Sequence, residues 1–196
     1  MSTPNELGGR SRQKLRTRNA LVAAARALVA KGASPTVEDA AAAAAISRTT
    51  AYRYFANQAA LLAAAHPETQ LPSLLPRDPP EDPIERLDAV LVRFMRIVLD
   101  TEPQQRTMLR LSLESPQTSP LVLRQGRAIG WIEEALSPLR ETMGRARLRK
   151  LVLAIRSAVG IEALVWLTDV GGLSRPEATK LMRWSAAAML RAAMEE

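Results

Sequence analysis

Apolar residues recur at helical spacing in blocks separated by Gly and Pro. The first block runs from about Gln13 to Lys31. Leu15, Ala20, Leu21, Ala24, Ala27 and Leu28 follow the helical repeat, and Gly32 supplies the stop. Thr36 then begins a Thr-x-x-Asp sequence ending at Asp39, a variant capping box, which predicts a short helix over about 37–44. Ser47 is placed to cap a third helix through about Phe55, and Asn57 a fourth through about Ala65. Six prolines between 67 and 83 predict a stiff, extended connector. Longer helices follow over about 84–100, 103–114, 120–136, 146–169 and 175–194. Asp82-Pro83, Ser119-Pro120 and Ser174-x-x-Glu177 are start signals for three of them, and Pro138 ends or kinks the helix before it.

Composition agrees with this pattern. The 196 residues include 33 Ala but only 7 aromatic residues, and Ala favours helix where strands favour aromatic and β-branched residues. The expected fold is all-α. A flexible arm (1–10) precedes a small helical domain (11–66), the Pro-rich connector (67–83) and a larger helical domain (84–196). With no Cys and one His, disulfide frameworks, thiolate zinc sites, a Cys nucleophile and His-based metal or triad chemistry drop out. No cofactor and no metal are expected, and His66, at a helix end, is expected in a surface or capping role. No apolar run reaches about 18 residues, and the basic N-terminus lacks an apolar stretch behind it. A cytoplasmic protein with no membrane partner is the expectation.

Charge is unevenly placed. Residues 1–65 hold 9 Lys/Arg and 3 Asp/Glu, a net +6, while residues 66–196 hold 18 and 17, a net +1. Arg10, Arg12, Lys14, Arg16 and Arg18 fall within nine positions. A positive end on a near-neutral body points to a polyanion, either nucleic acid or an anionic membrane surface.

The short helices carry the motif TVEDAAAAAAISRTTAYRYF (36–55). Ala40, Ala41 and Ala44 let two helices approach closely, and Ile46 plugs the turn between them. The next helix exposes Ser47, Arg48, Thr49 and Thr50 in its first turn, then Tyr52, Arg53 and Tyr54, with Phe55 turned inward. That layout suits a recognition helix, whose N-terminal residues meet base edges in the major groove. Arg can read guanine bidentately and Thr can bond a base or touch the thymine methyl. Tyr hydroxyls and Arg53 can hold phosphates, which set register.

At these residues the sequence resembles the TetR family of bacterial transcriptional regulators. The likeness spans the Arg-rich start, the Ala/Leu first helix, Thr36, "ISRTTAYRYF" and "NQAALL", with Thr50-x-Tyr52-x-Tyr54-Phe55 its most specific part. It implies a helix-turn-helix head tied by a fourth helix to a helical ligand-binding and dimerisation body. It also implies double-stranded DNA as partner, and Thr36, Ser47, Arg48, Thr49, Thr50, Tyr52, Arg53, Tyr54 and Asn57 as the DNA-binding set. The chain departs from the pattern at three places. Ala45 replaces the usual Gly before the turn's apolar residue, so that turn is expected to need no positive φ. Gln58 replaces a common Lys, which weakens one phosphate contact. Glu38 would meet unfavourable charge if it faced DNA.

In the larger domain, Leu148, Leu151, Val152, Ile155, Val159, Ala163 and Trp166 form one apolar face. Ala178, Leu181, Met182, Ser185, Ala188, Met189 and Ala192 form another. The segment 160–190 resembles the family's closing helix pair, and two such pairs make a four-helix bundle. A homodimer is expected through Ile155, Val159, Ala163, Trp166, Leu181, Met182, Ser185 and Met189. Three more faces (Leu87, Val90, Leu91, Phe94 and Val98; Leu109 and Leu113; Val122, Ile129 and Ile132) can enclose an apolar pocket. The effector pocket is placed at Phe94, Leu109, Arg110, Leu113 and Trp131. Arg106, Arg110 and Glu114 fit an exposed helical ion-pair stripe; Trp131, Trp166 and Trp184 fit core or interface.

No nucleophile–base, metal or phosphate-loop constellation is present, which argues against an enzyme. The expected function is a sequence-specific DNA-binding regulator, a repressor released from an inverted-repeat operator by a small molecule. The alternative is a DNA-binding protein without a small effector, architectural or switched by a partner.

Overall fold

Side-chain caps fix where each short helix of the head begins. A computed structural model describes residues 4–66, 71–114 and 126–195. α1 (Pro4–Ala30) is followed by α2 (Val37–Ala43), α3 (Arg48–Tyr52) and α4 (Gln58–Ala65). Thr36 and Asp39 form the reciprocal capping box of α2, the Asp39 carboxylate accepting from the Thr36 amide at 2.8 Å. Ser47 Oγ accepts from the Thr50 amide, and Asn57 Oδ1 from the Ala60 amide. These caps satisfy amides that the first turn of a helix leaves without partners.

α1 packs on α2 and α4, and α2 on α3. Their shared core holds Leu21, Val22, Ala25, Val37, Ala40, Ala41, Ala51, Phe55 and Leu61, with Ile46 packed against it. α1 departs from expectation twice. It is helical from Pro4, so residues 4–10 continue it rather than forming an irregular arm. Its buried stripe is Leu21, Val22, Ala25 and Val29, while Leu15 is exposed. The many alanines of this helix are nearly neutral markers of a face, so the larger side chains and the position of α2 and α4 decide it.

The turn between α2 and α3 corrects a further expectation. Ala45 adopts φ 53°, in the left-handed region, and among the described residues it is the non-glycine that does so. The Ile46 amide then reaches back to the Ala41 carbonyl at 2.9 Å. The turn keeps the geometry that glycine would supply, at a cost on the order of 1 kcal/mol.

The body comprises α5 (Pro83–Asp100), α6 (Glu102–Glu114), α7 (Arg127–Ala135), α8 (Arg140–Met143), α9 (Arg145–Ala158), α10 (Ile161–Val165) and α11 (Arg175–Glu195). No strand occurs among the described residues. The capping residues Asp82 and Ser174 act as the sequence indicates: Asp82 accepts from the Ile84 and Glu85 amides, and Ser174 forms a box with Glu177. α5, α7, α9 and α11 each pack on two of the others, closing a four-helix ring. Leu87, Leu91, Phe94, Ile132, Val152, Ile155, Met182 and Leu190 are among the side chains that fill it.

Several boundaries differ from the sequence pattern. The helix expected over 120–136 is described from Arg127, with Gly126 before it; Ser119-Pro120 and Val122 lie outside the described residues. It ends at Ala135, and Pro138 sits in a short 3-10 turn beyond. The helix expected over 146–169 is broken at Val159–Gly160 and resumes as α10, followed by a π-helical turn over Trp166–Val170. Gly160 has φ 105°, and a Cβ there would stand 3.0 Å from the Arg156 guanidinium and 3.5 Å from the Phe94 ring. Periodicity alone does not reveal such a break, because the apolar repeat continues through it. By length and composition the stretch Arg145–Val170 could cross a membrane, though Arg156 and Glu162 interrupt its apolar run. Here it is bent at Gly160 and gives Leu148, Leu151, Val152, Ile155 and Leu164 to the core.

Head and body meet where α4 packs on α6. Gln104, fully buried, donates from Nε2 to the Leu62 carbonyl at 3.0 Å. His66 caps the end of α4 as expected but is buried, not at the surface. Burial, and secondarily the positive charge of Arg127, pushes its pKa down to about 4. Arg106 does not form the expected helical stripe. Its guanidinium bonds Glu102 on its own helix and Asp169 beyond α10, while Arg175 bonds the same Glu102. Burial of Glu102 opposes its ionisation, but Arg175 and Arg106 together hold its pKa below the ordinary value.

Candidate nucleic-acid interface

The turn at Ala45 and the Ser47 cap set α3 across α2, anchored by buried Ala51 and Phe55. Its outer face presents Arg48, Thr49, Tyr52 and Arg53, all exposed, with Thr50 and Tyr54 half-buried. The cap positions carry a second duty. Ser47 Oγ donates to Thr50 Oγ1 at 2.9 Å, Thr36 Oγ1 donates to Asp39 at 2.8 Å, and Asn57 holds α4. These three hydroxyl and amide groups are therefore occupied in shaping the head. Tyr54 packs against the head core, so its ring is a strut as well as a surface group.

Gln58 does not stand in for the phosphate-binding lysine. Its amide donates to the Ser34 and Pro35 carbonyls at 3.0 and 3.3 Å, fastening the start of α4 to the loop before α2. Arg12, Lys14, Arg16 and Arg18 are exposed along α1, and Arg18 lies 5.5 Å from the Phe55 ring centroid. The cations exposed around α1 and an exposed Arg/Thr face on α3 fit a phosphate backbone and base edges respectively.

Glu38, on α2, lies beside this face. The Tyr52 hydroxyl donates to Glu38 Oε1 at 2.6 Å, and Arg48 Nη2 lies 2.7 Å from the same oxygen. The Tyr52 hydroxyl bond, with Arg48 adding to it, holds the Glu38 carboxyl below its ordinary pKa, and Glu38 in turn raises that of Tyr52. Tyr52, expected to hold a phosphate, thus spends its proton on Glu38. Sequence spacing gave no sign of this contact, since Glu38 and Tyr52 are fourteen positions apart on different helices.

The residues placed in an effector pocket are dispersed in exposure. Phe94 and Trp131 are buried and meet edge to face, ring centroids 6.0 Å apart. Leu109 is half-buried on α6, and Arg110 and Leu113 are exposed there. The residues placed in a dimer face also divide. Ile155 and Val159 are buried within the chain's own core and present no surface to a partner, a correction that follows from the four-helix ring. Met182 is likewise 1% exposed, though it floors a groove of about 370 Å³ lined also by Ala163, Trp166, Leu167, Leu181 and Ser185. Met189 is half-buried. Trp166 and Trp184 are 61% and 64% exposed beside that groove's helices, and Trp184 was not on the expected face.

Residues 20–65 match the family model described as bacterial regulatory proteins, tetR family. The match takes in the second part of α1 and all of α2, α3 and α4, and leaves Arg12, Lys14, Arg16 and Arg18 outside it. No curated protein matches the chain. Over those residues the chain is similar to bacterial regulatory proteins of the tetR family, a likeness that, with the all-helical body, supports a DNA-binding transcription regulator.

Proposed function

We propose that this regulator is a homodimeric, cytoplasmic repressor that grips an inverted-repeat operator and leaves it when a small molecule enters the body. Arg48 and Thr49 are the base-reading residues, with Thr50 behind them, and Arg53, Tyr54 and the α1 cations bind phosphate. Thr36, Ser47 and Asn57 border the duplex while holding the helices. Two heads joined through the groove at Ala163, Trp166, Leu181 and Ser185 must stand about 34–36 Å apart, or a multiple, to enter successive major grooves. Exposed tryptophans on adjoining helices support a partner there, because large apolar patches mark interaction sites.

The observation that carries the switch is the bond from buried Gln104 to the Leu62 carbonyl, which ties α6 of the body to α4 of the head. A shift of α6 must move α4 or break that bond. The effector is placed against Phe94, Trp131, Leu109 and Leu113, with the exposed Arg110 as a polar anchor. Only a ligand that binds the released form more tightly moves the equilibrium.

A thermal-shift screen against lipophilic and cationic metabolites tests this, since a ligand of the folded state raises the melting temperature. A hit should release operator DNA, and both Arg110→Ala and Phe94→Ala should weaken that release. Arg110 is exposed, so its substitution leaves the core intact. Full release by both variants would remove the pocket from this position. If no compound class releases DNA, the effector-free regulator becomes the better reading.

A further inference from the structure

Arg48 has a long, exposed side chain, 72% accessible, at the first position of α3. A free arginine there would sample many rotamers, and ordering it on a base costs up to about 2 kcal/mol of side-chain entropy. Here it is already held. Glu38 Oε1 sits 2.7 Å from Arg48 Nη2 and accepts the Tyr52 hydroxyl at 2.6 Å, while the guanidinium carbon lies 6.0 Å from the Tyr52 ring centroid. Three side chains from two helices close a triangle. We propose that Glu38 is a positioning residue for base recognition, fixed by Tyr52 and aiming the guanidinium of Arg48 at its base pair. This rests on the reading of α3 as the recognition helix.

The chemistry supports aim over mere capture. A guanidinium has five N–H donors, and the pair with Glu38 needs one, whereas guanine takes two. Nor is Glu38 required to start α2, because Thr36 and Asp39 already make that capping box. A carboxylate this close to DNA repels phosphate whatever the sequence. Its presence therefore lowers affinity for every duplex while ordering the one side chain best suited to read a base. These two effects have opposite signs and are separable.

The test compares wild type, Glu38→Gln, Glu38→Ala, Arg48→Ala and the Glu38→Gln/Arg48→Ala double variant. Each is titrated at one salt concentration against the selected operator, its single-base-pair variants and a scrambled duplex. Glu38→Gln should bind the scrambled duplex a few-fold more tightly, because one repulsive charge is gone. It should also lose about 5- to 10-fold of discrimination at the base pair that Arg48→Ala affects, and at no other. Glu38→Ala, which removes the acceptor, should lose more. In the Arg48→Ala background, Glu38→Gln should cost no further discrimination. The proposal is overturned if Glu38→Gln tightens operator and scrambled duplex equally, since Glu38 would then only compete with DNA. It is overturned too if discrimination changes at a base pair that Arg48→Ala leaves alone. If Arg48→Ala alters no base preference, the recognition-helix reading fails first and this inference falls with it.

Discussion

Leu181→Glu and Trp166→Glu should each yield a folded monomer whose operator affinity is lower by about 10²–10⁴-fold, the range over which linking two sites raises avidity. Leu181 lines the groove and is 37% exposed, and Trp166 is more exposed still. Neither substitution puts a charge inside the four-helix ring. Each would place it in a seam between chains, where an unpaired carboxylate loses its water and gains nothing. The two heads would then bind as independent modules. Met182→Glu is a poor version of the same experiment, because Met182 is a core residue of its own chain and the variant would lose its fold. Light scattering gives the mass and circular dichroism the helicity. Both glutamate variants remaining dimers would place the interface elsewhere on the body.

The second large effect is a pH dependence of stability carried by His66. Unfolded, this imidazole takes a proton near pH 6.5; folded, only near 4, because it is buried and faces the charge of Arg127. Between those values the unfolded chain binds the extra proton, so stability falls as pH falls. The full contribution is present above about pH 6.5 and is lost by pH 4, with a total of about 3 kcal/mol. His66 is the only histidine in the chain, so from about pH 6.5 to 5.5 it dominates the titration, and carboxylates such as Glu38 and Glu102 add their own slope below that. Denaturant unfolding at steps of pH should show this slope in the wild type and a nearly flat line in His66→Gln between about pH 6.5 and 5.5. An equal slope in both would mean that His66 is accessible to protons in the folded state. Because His66 ends α4 where the head meets the body, acid should loosen that junction before it unfolds the ring.

The head was largely legible in the sequence because its signals are local. Thr36, Ser47 and Asn57 cap the helices they precede, and small residues at 40 and 41 mark a close crossing. Ala45 shows the limit of residue preference: alanine disfavours positive φ, yet the packing of α2 against α3 imposes it. In α1 the abundance of alanine blurred the face, and larger side chains settled it. In the body, apolar periodicity located the helices but not the break at Gly160, since a glycine within an apolar repeat leaves the pattern unbroken. Periodicity also cannot divide an apolar stripe between the chain's own core and a partner. Ile155 and Met182 proved internal, while Trp184 stands outside. The link of Glu38 to Arg48 and Tyr52 joins separate helices, and only their packing reveals it.

The central claim is that this head binds DNA and reads its sequence. It is tested most directly by selecting genomic fragments with the pure protein, then measuring affinity for the selected operator and a scrambled duplex across salt concentrations. With a net +6 on residues 1–65 of each chain, several phosphates should be neutralised per head, and log affinity should fall with log salt by about 0.9 per contact. The operator should be preferred by at least about 10³-fold. A slope near zero would contradict DNA binding, and a steep slope with equal affinity for both duplexes would contradict sequence recognition.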